Sequence, residues 1–305
     1  MFVFKKEQQT FDFGGVTIGG NPGEFPTVMI GGLFFKSQEV VEDVKKGLFK
    51  KDLAKEWVDL GIHMSEETGH PLIIQVYGRT PEAMENHISW LTENFDGPFM
   101  FESTISAARL RGIEYCSEAG LEDRAIYNSL NLSTKDAEKS FLHEKSIDKA
   151  VVLGWSPRAT SLNDRMETIT NMTDDAKKLG ITKMLVDPAT MPVGAGYGLD
   201  YRTILTIKSE LGLPTCLGPH NAPSAWKFLR RPELNTKSTH LAAIVASTAV
   251  AQILATDSVM YGSMKRTKEV FAATSLIANA IASAAAEANR SLGREVELFE
   301  SPTFE

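Results

Sequence analysis

Eight short apolar runs, separated by longer amphipathic stretches, constrain the fold of this chain more than any other feature. The runs are TVMIGGLFF (27–35), PLIIQVYG (71–78), PFMFES (98–103), RAIYNSLN (124–131), KAVVLGW (149–155), TKMLVDP (182–188), LPTCLGPHN (213–221) and DSVMYG (257–262). Each has the length of a strand. Between them, apolar residues recur at three- and four-residue spacing, as in 50–67, 81–94, 104–119 and 162–179, which predicts helices. Thr80 followed by Pro81 reads as a helix cap and first turn, and Gly120, Gly180 and Gly212 stand where helices stop. Strands alternating with helices pair in parallel through right-handed crossovers. Eight such units predict an α/β fold, a closed (β/α)8 TIM barrel. An open doubly wound sheet is the alternative, but it would need a dinucleotide fingerprint that the chain lacks. TFDFGGVTIGG (10–20) instead predicts an N-terminal β-hairpin turning at Gly14-Gly15, placed to close the barrel floor.

The 305 residues suit one barrel, and no linker or low-complexity segment divides them, so 1–305 reads as a single domain. Net charge is −7 without a concentrated basic patch, which argues against nucleic acid. The short clusters FLRR (228–231) and KRTK (265–268) read as solvated helix ends. Cys116 and Cys216 are too few for a disulfide scaffold. The six histidines are scattered, with no HExxH and no CxxC, so no metal site is expected. The N-terminal segment carries no apolar run of signal-peptide length. LAAIVASTAVAQILA (241–255) is too short to span a bilayer and reads as a buried barrel helix. The expectation is a cytoplasmic protein with no membrane insertion. An Ala- and Ser-rich helix is predicted over about 264–290.

In a barrel of this kind, the C-terminal strand ends face the active-site mouth. Five of them carry amides or carboxylates: Gln75 on the second strand, Glu102-Ser103 on the third, Asn128, Ser129 and Asn131 on the fourth, Asp187 on the sixth and His220-Asn221 on the seventh. Any one could be a hydrogen-bonded strand cap. Five on one rim are hard to bury without a ligand or water to pair with them. Two acids and several amides match a flat heterocycle with an aminopyrimidinone edge, whose N–H groups donate to carboxylates and whose carbonyl and ring nitrogens accept from amides. A nucleobase would satisfy the same set. No strand end offers a lysine for Schiff-base chemistry. The Gly-rich PVGAGYGLD (192–200) reads as a mobile loop able to cover a ligand or bind a partner, with phosphate binding as the alternative.

Six segments, GGNPGEFPTVMIGGLFF, QVYGRTPEA, FESTISAARLRGIEYCSEAGLEDRAIYNSLN, VVLGW, VDPATMPVGAGYG and HNAPSAW, together resemble the H-subunit family of tetrahydromethanopterin S-methyltransferase, in order and over roughly 10–262. Within that family the chain looks closest to the bacterial methylcorrinoid protein:tetrahydrofolate methyltransferases of glycine betaine demethylation. The wider relatives are pterin-binding barrels, dihydropteroate synthase among them.

The resemblance implies a methyltransferase moving a methyl group between a methylcorrinoid protein and nitrogen 5 of tetrahydrofolate, giving 5-methyltetrahydrofolate. It implies pterin contacts from Glu102, Asn128, Asp187 and Asn221, with Gln75, Ser103 and Gly218 completing the candidate set. Many relatives have Asp where this chain has Glu102, and the longer side chain implies a slightly displaced ring. Asn221 is the implied catalytic residue, beside nitrogen 5. Cobalamin is expected on a separate corrinoid protein that docks over the mouth, because no DxHxxG segment is present to ligate cobalt. A homodimer is implied as well. The alternatives are a tetrahydromethanopterin-dependent subunit of a membrane complex, a non-catalytic pterin-binding subunit, and a dihydropteroate synthase-like condensation, for which the required basic set is not evident.

Overall fold

The computed structural model describes residues 3–302. The chain begins with β1 (Thr10–Phe13) and β2 (Val16–Gly19), an antiparallel hairpin whose turn glycines, Gly14 and Gly15, take positive φ. The repeating units follow. They are β3 (Val28–Leu33), a small antiparallel pair β4 (Val41–Asp43) and β5 (Leu48–Phe49), and α1 (Lys51–Thr68); then β6 (Leu72–Tyr77) and α2 (Pro81–Asn94); β7 (Phe99–Glu102) and α3 (Ser106–Glu118); β8 (Ala125–Leu130) and α4 (Asp136–Glu144). The second half runs β9 (Lys149–Leu153), α5 (Leu162–Lys178), β10 (Lys183–Asp187), α6 (Leu199–Thr206), β11 (Cys216–Leu217), α7 (Asn221–Ala225), α8 (Lys237–Ile253), β12 (Ser258–Ser263) and α9 (Thr267–Ser291).

All eight expected strands form, and they pair in parallel in the order β10-β9-β8-β7-β6-β3-β12-β11. A bridge between Val186 and Thr215, with Val186 N–H donating to the Pro214 carbonyl at 2.9 Å, brings the two edges together and closes the barrel. Local chemistry sets the helix ends. Thr80 caps α2 by accepting from Ala83 N–H at 3.1 Å, ahead of Pro81. Gly120, Gly180 and Gly212 adopt positive φ where helices stop.

Strand alternation divides the core in two. Ile30, Ile73, Met100, Ile126, Val151, Leu185, Cys216 and Met260, one from each barrel strand, form an interior layer with Phe13 and Ile18 of the hairpin packed into it. The hairpin is therefore the floor of the barrel. Outward residues such as Ile74, Phe101, Tyr127 and Val152 pack against the helices in the larger cluster. Below the interior layer, Lys208 is fully buried and donates to both Asp257 oxygens, at 2.7 and 2.9 Å, and to the Gly20 carbonyl at 2.8 Å.

The apolar segment 241–255 is not the buried helix that its composition suggests. It belongs to α8, which turns Ile244, Ala251 and Gln252 inward but leaves Val250 and Ile253 exposed. An outer barrel helix has only one neighbouring layer to bury against, whatever its composition. The Ala-rich helix forms as α9 and packs on α1 and α8. Met264–Ser291 is long and apolar enough to cross a membrane by length and composition alone. Cys116 and Cys216 are buried free thiols.

Candidate functional site: the barrel mouth

One step toward the C-terminal face from the interior layer, each strand's next inward position lies two residues on. Those positions are Gly32, Gln75, Glu102, Asn128, Leu153, Asp187, Gly218 and Gly262. The strands carrying side chains here, β6 through β10, are contiguous in the sheet, and so are the three bearing glycine, β11, β12 and β3. The result is a one-sided polar wall around a cavity of about 520 Å³, the size of a small-molecule site. Gln75, Glu102, Asn128, Asp187 and Asn221 all line it, joined by Ser129, Leu153 and His220.

The wall's hydrogen bonding is incomplete in a way that suits a ligand. Gln75 Nε2 donates to Glu102 Oε2, and Ala189 N–H donates to Asp187 Oδ1 at 2.8 Å. Among the described residues, neither carboxylate's other oxygen has a protein donor. The side-chain amides of Asn128 and Asn221 have no protein partner either. Burial pushes the Glu102 carboxyl up to about 7, against the Gln75 hydrogen bond and the Arg109 charge, which both favour ionisation. Burial likewise pushes Asp187 up to about 7; the Ala189 N–H opposes this, while the Asp200 and Glu102 charges add to it. Both acids are thus held near the protonation boundary at neutral pH, as expected of buried carboxylates awaiting a hydrogen-bond donor.

The glycine side lets neighbouring loops close in. A Cβ on Gly218 would lie 2.9 Å from Asn221 Nδ2, and one on Gly262 would lie 2.9 Å from the His220 ring. Asn221 N–H donates to the Gly218 carbonyl at 3.0 Å. Gly218 thus supports Asn221 rather than lining the cavity. Ser103 is also outside the lining: its hydroxyl accepts from Ile105 N–H at 3.0 Å, and its carbonyl accepts from Arg109. Asn131 turns away to cap its own loop through Ser133 and Thr134. His220 Nδ1 bonds the Met260 carbonyl at 2.7 Å, and burial lowers its pKa to about 4, so the ring is neutral.

Several lining residues carry no signal in the sequence. Gln38 enters from the loop after β3, donating to the Gly32 carbonyl at 2.7 Å, and Phe35 and Thr190 also line the cavity. Arg266, in the KRTK cluster expected to be a solvated helix end, is instead half-buried in the cavity wall, and burial lowers its pKa. These residues come from loops, where no periodicity marks direction. The Gly-rich segment 192–198 is an exposed loop between β10 and α6, and Gly194, Gly196 and Gly198 all take positive φ in it. Among the described residues, no cluster of three His, Cys, Asp or Glu is placed to hold a metal.

Some known proteins are similar to this chain in sequence, and others in fold. Residues 6–296 match the family model for the tetrahydromethanopterin S-methyltransferase MtrH subunit. The H subunit of a putative mtx methyltransferase from Methanosarcina barkeri is 38% identical over 279 residues, covering 89% of this chain and 90% of that one. The H subunit of tetrahydromethanopterin S-methyltransferase from Methanothermobacter thermautotrophicus is 38% identical over 284 residues, covering 90% of this chain and 92% of that one. Among solved structures, dihydropteroate synthase from Vibrio fischeri superposes with a TM-score of 0.60 at 14% identity, covering 92% of this chain and 98% of that one. The Yersinia pestis enzyme gives 0.57 at 17% identity, covering 93% and 100%. At such identities these two likenesses concern the fold alone. The chain belongs to the MtrH family.

Proposed function

We propose that this MtrH-family methyltransferase binds a reduced pterin in the barrel mouth and transfers a methyl group at its nitrogen 5, acting as one subunit among partners. The names of its relatives favour tetrahydromethanopterin over the tetrahydrofolate expected from sequence, and that is the pterin we adopt. Their names give no support to a role in glycine betaine demethylation.

The observation that carries the reading is the pair of half-satisfied carboxylates, Glu102 and Asp187, facing one cavity with the unpartnered amides of Asn128 and Asn221. An aminopyrimidinone edge supplies the N–H donors the acids lack, and its carbonyl and ring nitrogens take the amides. Fixing that edge holds nitrogen 5 in one place, which supplies orientation. In this reading Asn221, on the glycine side, hydrogen-bonds at nitrogen 5 and accommodates its change of charge. The methyl partner would be a corrinoid carried by a separate protein: neutral nitrogen 5 would take the methyl as the cobalt–carbon bond breaks with its electron pair left on cobalt, and the nitrogen 5 proton would pass to solvent. Exposed Trp155 and Tyr197, in the connections after β9 and β10, and Phe228, in a short 3-10 helix between α7 and α8, offer an apolar rim for such a visitor.

The test is loss of the methyl-cobalt absorbance when the protein is mixed with methylcobalamin and either tetrahydromethanopterin or tetrahydrofolate. Turnover with tetrahydromethanopterin is expected. Turnover with tetrahydrofolate alone would restore the folate reading. Binding of pterin without turnover, even with a corrinoid protein supplied, would leave a non-catalytic pterin-binding subunit.

A further inference from the structure

A buried charge cluster lies directly behind the polar wall, on the helix side of β7 and β8. Glu138 of α4 is fully buried, and both of its oxygens are shared. Oε2 accepts from Arg109 Nε at 2.6 Å and from the Tyr127 hydroxyl at 2.7 Å. Oε1 accepts from Arg109 Nη2 at 2.9 Å and from the Ser106 hydroxyl at 2.7 Å. Arg109, on α3, uses its remaining nitrogen, Nη1, to donate to the Ser103 carbonyl.

Each strand partner in this cluster sits one residue from a pocket side chain. Ser103 follows Glu102, and Tyr127 precedes Asn128. Alternation turns Tyr127 outward into the cluster and Asn128 inward to the cavity. Glu102 and Asn128 are themselves the last paired residues of the β7–β8 ladder. On the other side, the register of β8 against β9 shifts between Asn128 and Leu130. The β7–β8 ladder therefore ends at the two pocket residues, and the β8–β9 pairing is irregular beside Asn128 before it resumes at Leu130.

We infer that Arg109 is a positioning residue for the pterin pocket: by gripping the Ser103 carbonyl and the Tyr127 hydroxyl, the latter both directly from Nε at 3.2 Å and through Glu138, it fixes the spacing of the strand ends that carry Glu102 and Asn128. The inference rests on the pterin reading. Stability alone is a weak reason for the cluster, because apolar residues of similar volume often replace a buried ion pair without loss. A planar guanidinium engaged on every nitrogen is instead a rigid spacer.

The test is a double-mutant cycle read by calorimetry with 6-methyltetrahydropterin, which carries the shared ring without either natural tail. Tyr127→Phe removes one hydroxyl from the cluster and should weaken binding about fivefold. In an Asn128→Ala background, the same change should weaken binding less than about twofold, because the side chain it positions is gone. Arg109→Lys, which keeps the charge but loses the fork, should raise the pterin KM while leaving kcat near that of the wild type. Equal losses from Tyr127→Phe in both backgrounds would overturn the inference. So would folded Tyr127→Phe and Arg109→Lys proteins that bind like the wild type. A wild-type protein that binds no pterin would instead overturn the pterin reading, and this inference with it.

Discussion

Asn221 folds back over Gly218, where a Cβ would stand 2.9 Å from the Asn221 amide nitrogen and push that amide aside. The Asn221 N–H bond to the Gly218 carbonyl, 3.0 Å long, holds the residue proposed at nitrogen 5 on the glycine-lined side of the mouth, at the strand end next to that of Asp187. Asn221→Ala should therefore separate chemistry from binding. Single-turnover methyl transfer should fall about 100-fold, the usual loss for one preorganised donor, while the pterin Kd measured by calorimetry stays within about threefold. A Kd that rises as far as the rate falls would assign Asn221 to binding instead.

Asp187 should behave in the opposite way. With Oδ1 taken by Ala189, its other oxygen is the one available to the pterin edge. Losing a charge-assisted hydrogen bond costs about 1.5–3 kcal/mol, so Asp187→Ala should weaken pterin binding at least about tenfold. Tetrahydropterin binding indistinguishable from wild type would show that the ring lies elsewhere.

Pterin affinity should rise as pH increases through neutrality. Glu102 and Asp187 titrate at about 7 in the folded protein, raised from ordinary values of 4.5 and 3.8, and only the ionised form accepts both pterin N–H groups. Binding below about pH 7 should release protons, measurable as a buffer-dependent heat. Stability runs the other way. The folded state holds these protons more tightly than the unfolded chain, so the contribution is full below the unfolded pKa values and is lost as pH rises to about 7. His70, His87 and His220, lowered by burial from 6.5 to about 4, oppose this between those values. Comparison with Asp187→Asn isolates one carboxylate: between about pH 4 and pH 7 the wild type should lose stability relative to that variant in denaturant titrations.

The barrel floor offers a stability test far from the mouth. Asp257→Ala would strand the fully buried Lys208 and should cost about 3–5 kcal/mol in chemical denaturation. Adding Lys208→Met should recover much of that loss, because the uncompensated charge is then removed. A cost below about 1 kcal/mol for the single variant would mean that water reaches the ammonium group.

The interior of the barrel was legible in the sequence because strand periodicity is strict. Once Met100, Ile126 and Leu185 point inward, Glu102, Asn128 and Asp187 must point inward too, two residues later. The helix stops at Gly120, Gly180 and Gly212 were legible for an equally local reason, their freedom to take positive φ. Loop-borne residues carry no such pattern. Arg266 looked like part of a solvated basic cluster, and Gln38 had no motif around it. Ser103, next to Glu102, and Gly218 were expected in the candidate set, yet one serves its own turn and the other supports Asn221.

Short-range periodicity and backbone freedom were enough to specify the eight strands, their order along the chain, the hairpin at the floor and the inward direction of four polar side chains. Only closure of the ring brought β11 back against β10 and set the loops around the mouth. Tertiary structure gathered three glycines on one side of the mouth and placed the Arg109–Glu138 cluster behind Glu102 and Asn128. It also set the burial that lifts two carboxylates to neutrality, since desolvation depends on what the whole fold packs around a group and not on the residues beside it in the chain.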